Sequence, residues 1–399
     1  MHDVVLFARQ PIFDSTQQVF AYELLFRQGT AVQADFSDGD LATRTVMLNA
    51  YTHSDTFKTL NNKPGLVNVT KTMLNALPDI LRDTMYIEVL EDYHADDDLV
   101  PLLQGLKDRG FKLVLDDFEG RDYRPELIDL VDMVKIDVLA TPPEAIQPLL
   151  DRLRQHDITL VAEKIEDHAM YQTCRDQGFD YFQGYFFCQP ETIRGQQVDP
   201  DRMGMLMLLA DLYRSDVDIN AIYKHVQRDT VLSYKLLQLV NSAFYRRAQA
   251  IESLHQAVMM LGLDRIRSWV TLINMGQLSD KPGELQREAL TRAFFCEHLA
   301  TERPGLTAQA GFTVGLLSVL DAWLDRPMHQ IVEQLPFTEE VRAALTRREG
   351  PLGTILGIAV DYSHSRWDAL PRGLLESDEA MQLQDAYCQS VLRADEMLD

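Results

Sequence analysis

Seven times in the first half of this 399-residue chain, a short apolar run ends on a side chain that can hold a cation or a water. In order, the runs carry Glu23, Asn68, Glu88, Asp116 with Asp117, Lys135, Glu163 and Gln183. After one longer first step these residues follow one another every 19–28 positions, roughly one strand plus one helix. GLVNVT, FKLVLDDF and ITLVAEKIE are near-continuous apolar runs rich in β-branched residues, as buried parallel strands are. A polar group at the C-terminal end of strand after strand is where a (β/α) barrel gathers its active site. Seven such ends converging would build one acidic, oxygen-rich mouth.

The texture changes along the chain. Residues 1–200 read as an α/β domain, a (β/α) TIM-like barrel, with PPEAIQPLLDRLRQH (142–156) as one of its amphipathic helices. The polar, turn-rich stretch QPETIRGQQVDPDR (189–202) reads as the junction. Apolar residues at three- and four-residue steps then predict an all-helical domain over 201–399.

A formal net charge of −23 argues against gripping a nucleic acid duplex through its phosphates. An anionic ligand can still bind if divalent cations bridge the repulsion. Cys174, Cys188, Cys296 and Cys388 form no CxxC pair and read as reduced thiols of a cytoplasmic protein. No signal peptide and no membrane-spanning run is evident.

Singly, each candidate has an ordinary explanation. Glu23 could be a helix-start or surface charge, Asp116-Asp117 a cap, Lys135 a surface ion-pair partner, Gln183 a turn residue and Arg27 a surface charge. Their joint register across strand ends favours a site. Glu23, Asn68, Glu88, Asp116, Asp117 and Glu163 offer oxygen ligands suited to Mg²⁺ or Mn²⁺ rather than zinc. Adjacent aspartates let one carboxylate bridge two ions while its neighbour holds the second, and two ions serve phosphodiester hydrolysis. Lys135, close to Asp137, would orient or deprotonate the attacking water, Gln183 would hold that water or the phosphate, and Arg27 could clamp a phosphate.

These residues, in this order, resemble the EAL family of cyclic di-GMP phosphodiesterases. EALxR stands here as Glu23-Leu24-Leu25-Phe26-Arg27, the asparagine strand as Val67-Asn68-Val69-Thr70, and E(L/I)TE as Glu88-Val89-Leu90-Glu91. KID is intact at Lys135-Ile136-Asp137; EGVE stands as Glu163-Lys164-Ile165-Glu166, and QG as Gln183-Gly184 before Pro190. The resemblance implies hydrolysis of cyclic di-GMP to pGpG with two Mg²⁺ or Mn²⁺ ions. Glu23, Asn68, Glu88 and Asp116 would hold one ion, and Asp116 and Asp117 the second with Glu163 near it. Lys135 and Gln183 would serve the water, and Glu166 would brace the loop after Asp117. The family's DDFGTG departs to Asp116-Asp117-Phe118-Glu119-Gly120-Arg121, in a loop that in the family couples metal binding to dimer contacts. A homodimer is therefore left open. Leu24 replaces an alanine and Leu90 a threonine.

The stretch 229–273, continuing through 312–324, resembles the HDOD domain, a helical relative of HD hydrolases. Those enzymes need an adjacent His-Asp pair, which 203–399 lacks; His225, His255, His298, His329 and His364 are dispersed. That half reads as a non-catalytic signalling or interaction module with an unidentified protein partner, and Asn241-Ser242-Ala243 and Gly262 as packing or helix-end residues. The pairing resembles EAL–HDOD proteins of the YuxH type, which usually serve motility and biofilm formation. The leading expectation is an active phosphodiesterase; the alternative is a degenerate EAL domain acting as a cyclic di-GMP receptor or a scaffold.

Overall fold

The computed structural model describes residues 5–28, 58–89, 98–118, 124–189, 200–214, 219–228, 230–241, 251, 253–275, 281–375 and 377–398. The Glu119-Gly120-Arg121 loop, Glu91, Pro190, Ser242 and Ala243 lie outside the described residues, as does the side chain of Arg27. The chain divides into two compact units, Met1–Phe186 with Tyr362–Cys388, and Phe187–Asp361 with Gln389–Asp399.

The first unit is a closed eight-stranded barrel in chain order. Its strands are β1 (Val5–Asp14), β2 (Val19–Gln28), β3 (Gly65–Val69), β4 (Met85–Val89), β5 (Lys112–Leu115), β6 (Met133–Asp137), β7 (Thr159–Ile165) and β8 (Tyr181–Gly184). Neighbours from β2 to β8 pair in parallel, while β1 runs antiparallel to both β2 and β8. The apolar runs foretell β2 to β8 but not β1. Arg9-Gln10-Pro11 interrupts its apolar pattern, and the proline, which cannot donate to a ladder, sits beside a register shift at Ile12/Phe13. Strand starts share a device: Asp132, just before β6, accepts from the backbone N–H of Leu113 on β5 (3.0 Å), and Asp180, just before β8, accepts from Leu160 on β7 (2.8 Å). From the C-terminal stretch, Tyr387 packs 6.2 Å from Phe7 of β1 and 4.8 Å from Tyr362.

The barrel interior is built in storeys. Ile12, Ala21, Leu66, Val114, Met133 and Val161 form a buried apolar layer, joined by Phe20, Tyr86 and Tyr181. Side chains on a strand alternate between faces, so a residue two positions further along points the same way. Two positions beyond Ala21, Leu66, Tyr86, Val114, Met133, Val161 and Tyr181 stand Glu23, Asn68, Glu88, Asp116, Lys135, Glu163 and Gln183. The apolar storey therefore sets the height of the polar one. Each of its buried aliphatic side chains contributes about 1.5–3 kcal/mol, which offsets the cost of the charged layer above.

The second unit is helical. Helices over Gly283–Thr301 and Ala308–Leu317 pack closely because Gly311 and Gly315 present bare backbone; a Cβ there would lie 2.3 Å from the Cys296 carbonyl oxygen and 2.4 Å from that of Arg292. Asn241 ties a helix end down: its Nδ2 donates to the Ile251 carbonyl (2.8 Å) and its Oδ1 accepts from the Ile251 N–H (2.7 Å). Gly262 (φ 73°) breaks the Leu254–Met275 segment into two helical pieces. His255 lies edge-on to Tyr223, and His298 lies 3.5 Å from Glu302. Among the described residues of this unit, no group of three metal-binding side chains converges. No helix among the described residues is long and apolar enough to cross a membrane.

Candidate active site

At the C-terminal end of the parallel strands, one ammonium group sits in a ring of carboxylates. Lys135 on β6 is fully buried, and its Nζ lies 3.1 Å from Glu23 Oε2, 2.6 Å from Glu88 Oε1, 3.0 Å from Asp116 Oδ1 and 2.7 Å from Glu163 Oε1. In the strand register Asn68 faces Glu88 across β3 and β4, and Asp137 faces Glu163 across β6 and β7. Asn68 Nδ2 donates to Glu23 Oε1 (3.2 Å), while Gln183 Nε2 donates to Glu23 Oε2 (2.5 Å) and to Gln10 Oε1 (3.0 Å). Gln10 is a member of the site that the sequence pattern missed. It lies two residues before Ile12, and since β1 runs the other way, that places it on the polar storey. Only recognition of β1 as antiparallel could have found it.

The charges in this ring do not balance. Four buried carboxylates face one ammonium. Burial drives the Glu88 carboxyl well above its usual range, and the nearby Glu23 and Asp116 charges push the same way against Lys135. Burial likewise lifts Glu163 to about 8 despite Lys135, with Asp116 and Glu23 adding to the rise. Burial alone would pull Lys135 down, but Asp116, Glu163, Glu23 and Glu88 together hold it well above the ordinary lysine value. Lys135 is thus a firm cation, and the ring has negative charge to spare.

A divalent cation fits that surplus. Glu23, Glu88 and Asp116 each bring an oxygen to within 4.8 Å of the others. Glu88 Oε2 and Gln183 Oε1 are buried with no hydrogen-bond donor among the described residues, which an acceptor tolerates poorly unless a cation or water meets it. An all-oxygen donor set of this kind suits Mg²⁺ or Mn²⁺.

Asp117 stands apart from the ring. It has φ 47°, and its Oδ1 lies 3.1 Å from the Nζ of Lys164, whose Nζ also meets Asp137 Oδ2 at 2.5 Å. Asp137 accepts in addition from the N–H groups of Leu139 (2.8 Å) and Ala140 (2.9 Å). Lys164 and two backbone donors therefore hold its carboxyl below the usual value, although burial opposes them. Glu166 is exposed just past β7. Arg27 pairs through its backbone with Leu6. Gly184 is required where it is: its Cβ would lie 2.1 Å from the Ile165 carbonyl oxygen, and its φ is 150°.

Both halves of the chain match known families. Residues 61–190 match the EAL domain and residues 203–322 the HDOD domain. The chain is 35% identical over 376 residues to the cyclic di-GMP phosphodiesterase CdgJ of Vibrio cholerae, covering 92% of this chain and 87% of that protein. It is 32% identical over 375 residues to the protein YuxH of Bacillus subtilis, covering 91% and 92%. A manganese and cyclic di-GMP complex of Klebsiella pneumoniae BlrP1 is similar over 46% of this chain and 55% of that one, at 21% identity and TM-score 0.38. With both domains matched in order and two relatives aligned over most of their length, the chain belongs to the family of two-domain EAL–HDOD proteins.

Proposed function

We propose that this protein hydrolyses cyclic di-GMP to pGpG, with residues 1–200 as the phosphodiesterase domain and 201–399 as the HDOD domain that regulates it or binds a protein partner. One observation carries the reading: among the described residues, a buried ring of four carboxylates surrounds a single ammonium at the barrel's C-terminal end, and Glu88 Oε2 and Gln183 Oε1 lack donors. The activity named for CdgJ supports it.

Glu23, Asn68, Glu88 and Asp116 would hold one Mg²⁺ or Mn²⁺, and Asp116 and Asp117 a second with Glu163 beside it. Bound divalent ions supply charge stabilisation on the phosphoryl oxygens and a water nucleophile at neutral pH. Lys135, buried among four carboxylates, would orient or deprotonate the attacking water. Gln183 spends its amide N–H groups on Glu23 and Gln10, which leaves its carbonyl oxygen to accept from that water. Arg27 would contact a substrate phosphate. Glu166, exposed here, would act only by bracing the loop after Asp117.

A receptor that binds cyclic di-GMP without turnover is the second reading. It is favoured by the engagement of Asp117 with Lys164 rather than with the ring. On either reading the protein works in the cytoplasm, in the control of motility or biofilm formation, and a homodimer is its candidate assembly.

The test is incubation of the purified chain with cyclic di-GMP and Mg²⁺ or Mn²⁺, with pGpG followed by chromatography. Metal-dependent pGpG is expected. Saturable binding without product would turn the reading to the receptor.

A further inference from the structure

Two ammonium groups stand at the barrel mouth, and their surroundings differ in kind. Lys135 faces four buried carboxylates that it cannot neutralise alone. Lys164 faces two, Asp117 at 3.1 Å and Asp137 at 2.5 Å, and Asp137 already has the N–H groups of Leu139 and Ala140. The lower group calls for a further cation; the upper one is close to satisfied without it.

The backbone is shaped to deliver Lys164 there. Its φ is 59°, in the left-handed region where a side chain costs about 1–2 kcal/mol that glycine avoids. The β7–β8 register slips between Ala162 and Ile165, the mark of a local bulge that re-aims a side chain. Asp117, the residue it meets, is also left-handed. Consecutive residues of a regular strand point to opposite faces. These two turns instead let Asp116 serve the ring while Asp117 serves Lys164, and let Glu163 serve the ring while Lys164 reaches back over the mouth.

We propose that Lys164 is a tethered cation that holds the second metal position at Asp117, so that the two divalent ions bind in order and the second must displace its ammonium. Asp137 is the anchor to which Lys164 retreats, since its closer bond survives release of Asp117. Lys164 is then a positioning residue that sets how much free metal the site needs before both positions fill. The proposal rests on the metal-dependent phosphodiesterase reading above.

The test is Mn²⁺ titration of the full-length protein without substrate, read by equilibrium dialysis for stoichiometry and by electron paramagnetic resonance for spin-coupled pairs. Wild type is expected to take one ion tightly and a second about tenfold or more weakly, the scale of displacing one partly exposed ion pair. Lys164→Gly suits the left-handed backbone; it should leave the first step unchanged, tighten the second by about tenfold and raise the coupled signal at low manganese. Lys164→Asn is the second neutral variant should glycine loosen the strand end, and Lys164→Arg should keep the wild-type gap. Two equal steps in wild type, or a second step that neither neutral variant moves, would overturn the role of Lys164 alone. Absence of manganese binding in all the proteins, or a first step unaffected by Glu23→Ala, would overturn the metal site and the proposal with it.

Discussion

Replacing Lys135 with methionine keeps the length of the stem and removes the one cation in the ring. Its Nζ lies 2.6–3.1 Å from oxygens of Glu23, Glu88, Asp116 and Glu163, and none of these groups has more than a sliver of solvent access. Removing one partner of a buried ion pair costs about 3–5 kcal/mol. Here the lower end applies, because carboxylates that already titrate high, as Glu163 does at about 8, escape part of the penalty by taking up protons. A loss of about 3 kcal/mol in a unit of this size corresponds to a fall in melting temperature of roughly 6–12 °C. The assay is thermal unfolding at pH 7, in EDTA and in saturating Mn²⁺. In EDTA the full loss is expected. In Mn²⁺ less than half should remain, since a divalent ion replaces the missing charge and stabilises the folded state by mass action. Turnover should fall whether or not stability is rescued, because the water loses its donor. An equal loss in both conditions, or none in EDTA, would refute the argument that the ring is a cation site filled in part by lysine.

Other outcomes follow from the same geometry. Glu163 has a folded-state value near 8 against an ordinary 4.5, so its contribution to stability is fully present below about pH 4.5 and is lost as pH rises through 8. The metal-free protein should therefore weaken by a few kcal/mol across that window; Glu163→Gln should flatten the profile, and a profile unchanged in urea melts would reject the assignment. Gly184→Ala drives a methyl against the Ile165 carbonyl and should destabilise by about 3 kcal/mol or more, read by denaturant titration; a change under 1 kcal/mol would contradict the close approach. The combined change Glu119→Gly, Gly120→Thr and Arg121→Gly should raise kcat if the loop after Asp117 restrains turnover, and equal rates in the two proteins would clear the loop of that role.

Much of the barrel was legible because its parallel strands, buried on both faces, read as near-continuous apolar runs that each end on a polar residue. The apolar storey under the polar one, as with Leu66 below Asn68 and Val114 below Asp116, emerges from the structure, where residues two apart on a strand share a face. Three features were not legible, each for a physical reason. β1 is disguised by Pro11 and the polar pair before it, so the chain shows seven runs where the barrel has eight strands, and Gln10 goes unnoticed. Two consecutive aspartates look equivalent on paper; a left-handed φ at Asp117, which no local pattern announces, sends one to the ring and the other to Lys164. The inclusion of Tyr362–Cys388 in the barrel's unit depends on aromatic contacts such as Tyr387 with Phe7, formed between residues hundreds of positions apart. In the helical half, Asn241 and Gly262 do stand at a helix end and at a break between helical pieces.

The most direct measurement is diffraction from crystals grown with Mn²⁺ and cyclic di-GMP, with anomalous data collected at the manganese edge. The account predicts an anomalous peak bounded by Glu23, Asn68, Glu88 and Asp116, with Lys135 drawn away from at least one of its four carboxylates. Crystals that bind the dinucleotide yet show no peak in the ring, with Lys135 still touching all four, would contradict it.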